Sequence, residues 1–479
     1  MSELNIRDQI VATRRGRVAR QGHELGHPVP VERLSPLVPF GRDPFLICEI
    51  KRKSPSRGAI AAELDPVEQA RRYREAGVQS VSILTEEDHF AGSLADLMAV
   101  KTAFPEMGVL RKDFLLDERD VRVSYRAGAD AVLLIASLFQ PEEFARLYRL
   151  TVQLGMRALV EVHDDADVEV VRSVEPDLVG INSRDLRTFH VDRLHPPKLQ
   201  VTLDWEPETV FESGVWYEED VIFARSTGFS GVLVGESVTR NPRLIPHLVE
   251  GFQAPVPDGA FWNVVATKLR AGRPLVKICG IRREQEGRMA AGLGADVLGF
   301  VFADSPRRAD ASVVRALSDV DVLKVAVVTA NRDASDLPGE VVDLLADGRL
   351  HAVQFHGDEE PGACFSAHYP YYKALRLRNT ASVESVASYR SPRVLVDAYS
   401  PEARGGTGVT VPEDILDEVR AQHPLWLAGG LSPSTIRRAI ERFRPELVDV
   451  SSGVESRPGE KDHEKLKAYF REISNADNG

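Results

Sequence analysis

The chain has 479 residues, 43% hydrophobic and 28% charged, and a formal net charge of −12. That length exceeds one ordinary core, and the composition is that of a folded globular protein rather than a disordered one. The acidic balance argues against general nucleic-acid binding, which wants a basic face, but leaves room for a local basic pocket that takes a small phosphorylated anion.

The N-terminal stretch "MSELNIRDQIVATRRGRVARQ" lacks the apolar core of a signal peptide, and no run approaches the ~18 apolar residues that span a bilayer. It reads as an amphipathic extension in which "RRGRVAR" is a solvated helix face, and no chemistry is assigned to it. Beyond it, short apolar runs at 46–50, 80–84, 109–111, 131–135, 158–161, 178–181, 209–212 and 231–234 read as strands. Amphipathic segments ending in glycine, such as "PVEQARRYREAG" and "PEEFARLYRLTVQLG", separate them. Strand alternating with helix implies parallel pairing through right-handed crossovers. The pattern pauses at "GFQAPVPDGAFWNVVATKLRAGRP", then resumes with runs at 275–278, 297–302, 322–328, 352–355, 371–374, 394–396, 425–428 and 447–450. About eight strands per half is the count of a closed (β/α)8 barrel. Two open doubly wound sheets are the alternative, weakened because no G-x-G-x-x-G follows either first strand. The expected architecture is therefore α/β, two (β/α)8 TIM barrels in tandem: residues 1–253 with the N-terminal extension, a partly helical connector at 254–273, and 274–479.

In such barrels the chemistry sits at the C-terminal ends of the strands and in the loops just beyond. In the first half those positions hold Glu49, Lys51 and Lys53, then Lys112 and Asp113, Glu161, Asn182 and Arg184, Glu212 and Ser213, and Gly235 and Ser237. Charges on otherwise apolar strands are costly unless they meet. Convergence of lysines, arginine and glutamates on one mouth therefore points to proton transfer, with a lysine of lowered pKa as donor and a glutamate as acceptor. The Gly-Ser pairs at strands seven and eight match the place where barrels bind phosphate through backbone N–H groups.

At these residues the sequence resembles indole-3-glycerol-phosphate synthase, through "EIKRKSPSRG", "SVSILTEEDHFAGSL", "LRKDF", "LVEVH", "GINSRDL" and "ESGV" in that order. The resemblance implies ring closure, decarboxylation and dehydration of a carboxyphenylamino-deoxyribulose phosphate. It casts Lys112 as general acid, Glu161 as its acid/base partner supported by Glu49, and Lys51 near the reacting centre. Arg184 would hold the anthranilate carboxylate, and Asn182 and Glu212 the hydroxyls or polar intermediates. Lys53, Ser54, Gly214, Gly235 and Ser237 would hold the phosphate, and Ser213 is a further substrate-binding candidate. Phe90 and Phe114 are candidates to wall the aromatic ring, and Glu236 is expected to turn its side chain away from the phosphate.

The second half offers Cys279, Arg307, His356 and Asp397 at strand ends, a glycine-rich loop containing Gly406, and Gly429, Gly430, Ser452 and Gly453 near a strand seven/eight phosphate site. A lone strand cysteine is usually packing. Here "KICGI", "SPR", "QFHG", "VDAY", "GGTG", "AGGL" and "DVSSGVE" together resemble phosphoribosylanthranilate isomerase, which performs an Amadori rearrangement. That resemblance casts Asp397 as general acid, Cys279 as general base and Arg307 as anchor of the anthranilate carboxylate. His356 stands open between a loop histidine and a substrate contact. Arg282, where relatives often carry Thr, adds positive charge near the mouth, and "GGTG" is a candidate lid. The isomerase product would be the synthase substrate.

Neither chemistry needs a metal or cofactor, and none is expected. The expected partners are phosphorylated anthranilate derivatives, with no nucleic acid and no membrane, acting on a monomer. Three cysteines, Cys48, Cys279 and Cys364, build no disulfide framework and share no metal-ligand spacing, so a reducing cytoplasm is expected. Two rivals stay in view: a Schiff-base lyase barrel with Lys112 as nucleophile, and a chain in which one barrel is a non-catalytic scaffold.

Overall fold

The computed structural model describes residues 6–41, 45–55, 58–185, 190–256, 260–330, 337–364, 369–398 and 410–477. It divides into two compact units, Met1–Val256 and Pro257–Gly479.

In the first unit, β1 (Phe45–Ile50), β2 (Ser80–Leu84), β3 (Gly108–Lys112), β4 (Ala131–Ile135), β5 (Arg157–Val162), β6 (Leu178–Asn182), β7 (Glu208–Glu212) and β8 (Gly231–Val234) form a closed parallel barrel. The sheet closes where β8 pairs with β1, Phe45 lying opposite Gly231. Several of the helices between the strands begin at side-chain caps. Asp65, for example, accepts from the backbone N–H groups of Val67 and Glu68 just where Pro66 opens a helix, Pro66–Glu75.

Period-two alternation decides what each strand puts inside. Phe45, Ile47, Leu110, Leu133, Leu159, Leu178, Val210 and Leu233 pack together as an apolar plug within the barrel. Their neighbours Leu46, Cys48, Val109, Val132 and Val179 pack outward against the helices. Followed to the strand ends, the inward parity carries Glu49, Lys112, Glu161, Asn182 and Glu212 onto the inner face just above the plug.

The N-terminal extension is helical over Ile6–Gln21, and its basic run is a solvated face only in part: Arg15 and Arg20 are exposed, whereas Arg14 and Arg17 turn inward. Arg14 is 2% exposed and pairs with Asp120 at 3.1 Å and Asp113 at 3.6 Å. Arg17 reaches Asp88 at 2.6 Å and also pairs with Glu87. Composition assigns all four arginines to solvent; carboxylates far along the chain draw two of them in.

In the second unit, β9 (Leu275–Cys279), β10 (Val297–Val301), β11 (Leu323–Val328), β12 (Ala352–Phe355), β13 (Tyr371–Leu377), β14 (Val394–Ala398), β15 (Trp426–Leu427) and β16 (Leu447–Val450) close a second parallel barrel. The β15 pairing is shorter than the 425–428 expected, because the chain turns into Gly429 and Gly430, both at positive φ. A helix, Ala260–Leu269, precedes β9 and packs in this unit. Its Phe261 stacks on Tyr372 with centroids 6.1 Å apart, and its Trp262 lies 6.0 Å from Trp426, both partners standing near the N-terminal ends of their strands. The segment between the repeats thus seals one end of the second barrel.

Trp262 is 3% exposed. Truncating a buried tryptophan costs about 3–5 kcal/mol, and each kcal/mol moves the midpoint of a domain this size by roughly 2–4 °C. Trp262→Ala should therefore lower one calorimetric transition by about 10 °C. A fall under about 2 °C would show that the helix is a tether and not part of the barrel's core.

Candidate active sites

One cavity in the first unit collects most of the residues singled out from sequence. Glu49, Lys51, Lys112, Glu161, Asn182 and Glu212 line it. Ser54, Arg184, Ser213, Gly214, Gly235 and Ser237 lie on its wall as well, as do Phe90 and Phe114. Lys53 does not: its ammonium donates to the Asp88 carbonyl at 3.4 Å. Glu236 lines the cavity, with its carboxylate paired to Arg240 at 2.9 Å. Sequence reading missed a third wall, because Ile6, Arg7 and Ile10 of the N-terminal helix also line the cavity. The spacing of Ile6 and Ile10, one helical turn apart, is the only signal the sequence held for it.

The electrostatic centre is Lys112. Its Nζ donates to Glu161 Oε2 and to Glu212 Oε2, each at 3.2 Å. Burial works to lower its pKa, but Glu212, Glu161 and Glu49 outweigh burial and push it above the ordinary lysine value. The expected lowered pKa is thus reversed, because the neighbours are carboxylates and not cations. An ammonium so held is a poor nucleophile and a loaded proton donor, which removes the support for a Schiff-base lysine. Glu49 Oε1 pairs separately with Lys51 Nζ at 2.5 Å. Room for that pair comes from Gly235, where a Cβ would stand 2.5 Å from Glu49 Oε1. Ser213, next to Gly214 in the same wall, holds a left-handed φ of 66°, a strained state for a residue with a side chain.

The two glutamates beside Lys112 differ. Burial raises Glu161, but Lys112 and His163 outweigh it and hold the carboxyl well below the usual range. For Glu212, burial and the neighbouring Glu161 and Glu49 prevail over Lys112 and push the carboxyl up to about 7. His163, which sequence reading passed over, has Nε2 3.0 Å from Glu161 Oε1 and Nδ1 3.3 Å from Asp167 Oδ2. Burial opposes its charge, but these two carboxylates raise its pKa to about 10.

In the second unit, Cys279 and Asp397 stand at the C-terminal ends of β9 and β14 with inward parity, since Val276, Ile278, Val396 and Ala398 pack outward. Asp397 Oδ1 accepts from the Ala398 N–H at 2.8 Å, and Oδ2 lies 3.1 Å from His356 Nε2. The tautomer follows from the chain of partners. Gln354 Oε1 accepts from Lys277 Nζ and from the Tyr372 hydroxyl, each at 2.9 Å. Its amide nitrogen must then face His356 Nδ1, 2.9 Å away, as donor. His356 therefore carries its proton on Nε2 and donates it to Asp397. Lys277 Nζ meets Asp449 Oδ2 at 2.5 Å. Burial pushes the Cys279 thiol up, Lys277 opposes that and Asp449 adds to it.

Arg307 lies in a forked ion pair with Glu455, through Nε at 3.0 Å and Nη2 at 2.9 Å, and Glu455 also meets Lys461 at 3.0 Å. Arg282 donates to the Arg308 carbonyl at 3.2 Å. Gly429 and Gly430 follow β15, and Ser452 and Gly453 follow β16. Gly406 and the "GGTG" loop lie outside the described residues.

Residues 28–247 match the family model of indole-3-glycerol phosphate synthase, and residues 276–472 match that of N-(5'-phosphoribosyl)anthranilate isomerase. The chain belongs to these two families, joined in tandem. The synthase half is similar to the indole-3-glycerol phosphate synthase of Geobacillus kaustophilus, 40% identical over 49% of this chain and 91% of the relative. Across 89% of its length the chain is 31% identical to a multifunctional tryptophan biosynthesis protein of Phycomyces blakesleeanus, of which it spans 62%. It thus spans less than two thirds of that relative. A phosphoribosyl anthranilate isomerase structure from Thermotoga maritima is 32% identical over 42% of this chain and 99% of its own, with a TM-score of 0.38. No described helix is long and apolar enough to cross a membrane.

The His163 charge gives a test of the synthase-half geometry. A raised folded pKa stabilises fully below the unfolded value of 6.5 and loses its effect as pH climbs through about 10. Removing one partner of a buried ion pair costs about 3 kcal/mol. His163→Gln should therefore lower the synthase transition by roughly 6–12 °C at pH 6. The gap should shrink steadily toward pH 10. A gap that stays constant with pH would mean that the imidazole is neutral.

Proposed function

We propose that the chain catalyses two consecutive steps of tryptophan biosynthesis on phosphorylated anthranilate derivatives. The isomerase half converts N-(5-phosphoribosyl)anthranilate to the carboxyphenylamino-deoxyribulose phosphate. The synthase half cyclises, decarboxylates and dehydrates that product to indole-3-glycerol phosphate. The observation that carries this reading is the Lys112 ammonium held between Glu161 and Glu212 in a cavity that Phe90 and Phe114 also line. It puts a loaded acid, carboxylates and a flat apolar wall around one space, which ring closure onto a ketone requires.

In the synthase half Lys112 protonates the ketone oxygen as the aromatic ring attacks, with Glu161 as its acid/base partner. Glu49 and Lys51 support the reacting centre. Arg184 takes the substrate carboxylate, Asn182 the hydroxyls, and Ser54, Ser213, Gly214, Gly235 and Ser237 the phosphate. In the isomerase half Asp397 protonates the ring oxygen and His356 fixes its orientation. Cys279, as thiolate, removes the C2 proton, and Arg307 holds the anthranilate carboxylate. The Glu455 fork uses Nε and Nη2, which leaves the Nη1 side of that guanidinium for a ligand. Gly429, Gly430, Ser452 and Gly453 bind the phosphate. Action as a monomer in a reducing cytoplasm is part of the same proposal.

Losing a general acid costs on the order of 10²–10⁴ in rate. Lys112→Ala should abolish indole-glycerol phosphate formation to that extent and leave the isomerase rate within about twofold. Asp397→Asn should do the reverse when each half-reaction is assayed with its own substrate. Wild-type speed in the half-reaction that a variant is meant to cripple would overturn its assignment.

A further inference from the structure

We propose that Glu212 is the proton store of the synthase half, carrying at rest the proton that recharges Lys112 between ring closure and dehydration, while Glu161 is kept ionised to take up the carbon-bound proton. This rests on the synthase reading above and assigns within it what the sequence left undivided. It also moves Glu212 from hydroxyl binding to proton transfer.

The two carboxyls touch Lys112 at the same distance, 3.2 Å, so the ammonium does not choose between them. Their second oxygens do. Glu161 Oε1 faces His163 at 3.0 Å and the Asn182 amide at 3.4 Å. His163 is gripped on its other nitrogen by Asp167, which also accepts from the His163 backbone N–H at 2.8 Å. His163 Nε2 lies within ion-pair distance of Glu161 Oε1 but makes no hydrogen bond among the described residues, so the donor on that oxygen is the Asn182 amide. Glu161 thus has donors on both oxygens.

Glu212 Oε1, in contrast, is buried and has no hydrogen-bond partner among the described residues. It lies over Gly180, where a Cβ would come within 2.0 Å of it, so the glycine in "VGIN" is what admits the carboxyl there. Leaving a fully buried carboxylate oxygen without a donor costs far more than leaving a neutral acid there. The groups that face Glu212 are Lys112 from β3, Glu161 from β5 and Glu49 from β1, with Lys51 and Arg184 lining the same cavity. Two of the three nearest are like charges. The upward push on Glu212 has the same origin.

The protons balance. Attack of the ring carbon on the ketone makes an alkoxide, a stronger base than an amine, and Lys112 protonates it. Carbon dioxide departs and leaves its bonding pair to restore the aromatic ring. Glu212 passes its proton to the now neutral Lys112. Lys112 then protonates the leaving hydroxyl as water, while Glu161 takes a proton from the methylene carbon beside nitrogen. Two protons are given and one is taken. The third party is solvent, which supplies one proton per turnover, matching the conversion of a carboxylate to neutral carbon dioxide.

The test uses the full chain and two readouts. Infrared titration of the resting protein should show the carbonyl stretch of a protonated carboxyl near neutral pH, fading as pH rises. The band should be absent in Glu212→Gln and present, at a shifted position or pH, in Glu212→Asp. A band that survives Glu212→Gln and vanishes in Glu161→Gln overturns the proposal. In single turnover with the carboxyphenylamino-deoxyribulose phosphate, Glu212→Gln should release carbon dioxide within tenfold of the wild-type rate. It should form the indole at least 100-fold more slowly, without the wild-type decline toward high pH. Equal losses in both steps would make Glu212 a binding residue and also overturn it. If wild type does not turn over this substrate, the synthase reading fails, whereas the infrared result still decides where the proton rests.

Discussion

A buried ammonium among carboxylates is the interaction on which the synthase half depends. Lys112 reaches the cavity from the end of β3, Glu161 from β5 and Glu212 from β7, so no two of the three are on adjacent strands. Only closure of the sheet brings them together, and each would be an uncompensated buried charge without the others. The apolar plug beneath them fixes their height. Ile47, Leu110, Leu159, Val210 and Leu233 fill the barrel so that the next inward position on each of those strands opens into the cavity. Core packing and catalytic geometry are therefore one constraint, read at successive steps of the same strands.

The isomerase half meets the same constraint by another route. Polar side chains occupy its interior: Asp449, Lys277, Gln354, His356 and Asp397 form a continuous run of contacts. Each link sets the donor or acceptor role of the next, from an ammonium that can only donate to a carboxylate that can accept. Asp397 is thereby oriented from within the barrel, where Lys112 is held by partners from other strands. The same Lys277 also faces Cys279 and offsets part of the upward push that burial gives its thiol. One lysine thus bears on both groups cast as acid and base.

Strand order, parity and the residues at strand ends were legible because they follow from period two and from local composition. The sign of the Lys112 shift was not, since it depends on which charges from 49 to 100 residues away arrive beside it. Arg14 was misread for the same reason: its carboxylates, Asp113 and Asp120, are about a hundred positions distant. His163 was passed over although it sits two residues after Glu161. Parity places both on the same side, but it takes Asp167, on the following helix, together with Glu161 to raise the imidazole's pKa. His356 was left open because its tautomer is decided by Gln354, whose own orientation is decided by Lys277 and Tyr372. Sequence shows which groups are present at a mouth; the charge each one carries is a property of the assembled ring.

The proposed ligands are acidic, and so is the chain, whose net charge of −12 disfavours the approach of a phosphorylated carboxylate. Both halves answer it locally with cations already paired to internal carboxylates: Lys51 with Glu49, and Arg307 with Glu455. Such a pair keeps the half-buried cation in place and oriented before the ligand arrives. A ligand carboxylate that shares the cation with the internal one adds a contact without stripping a buried carboxylate of its partner, so little desolvation is left to offset on binding. The internal carboxylates are then stand-ins for the substrate, and the total charge of the chain ceases to matter once the ligand is within a Debye length of the mouth, about 8 Å at physiological salt.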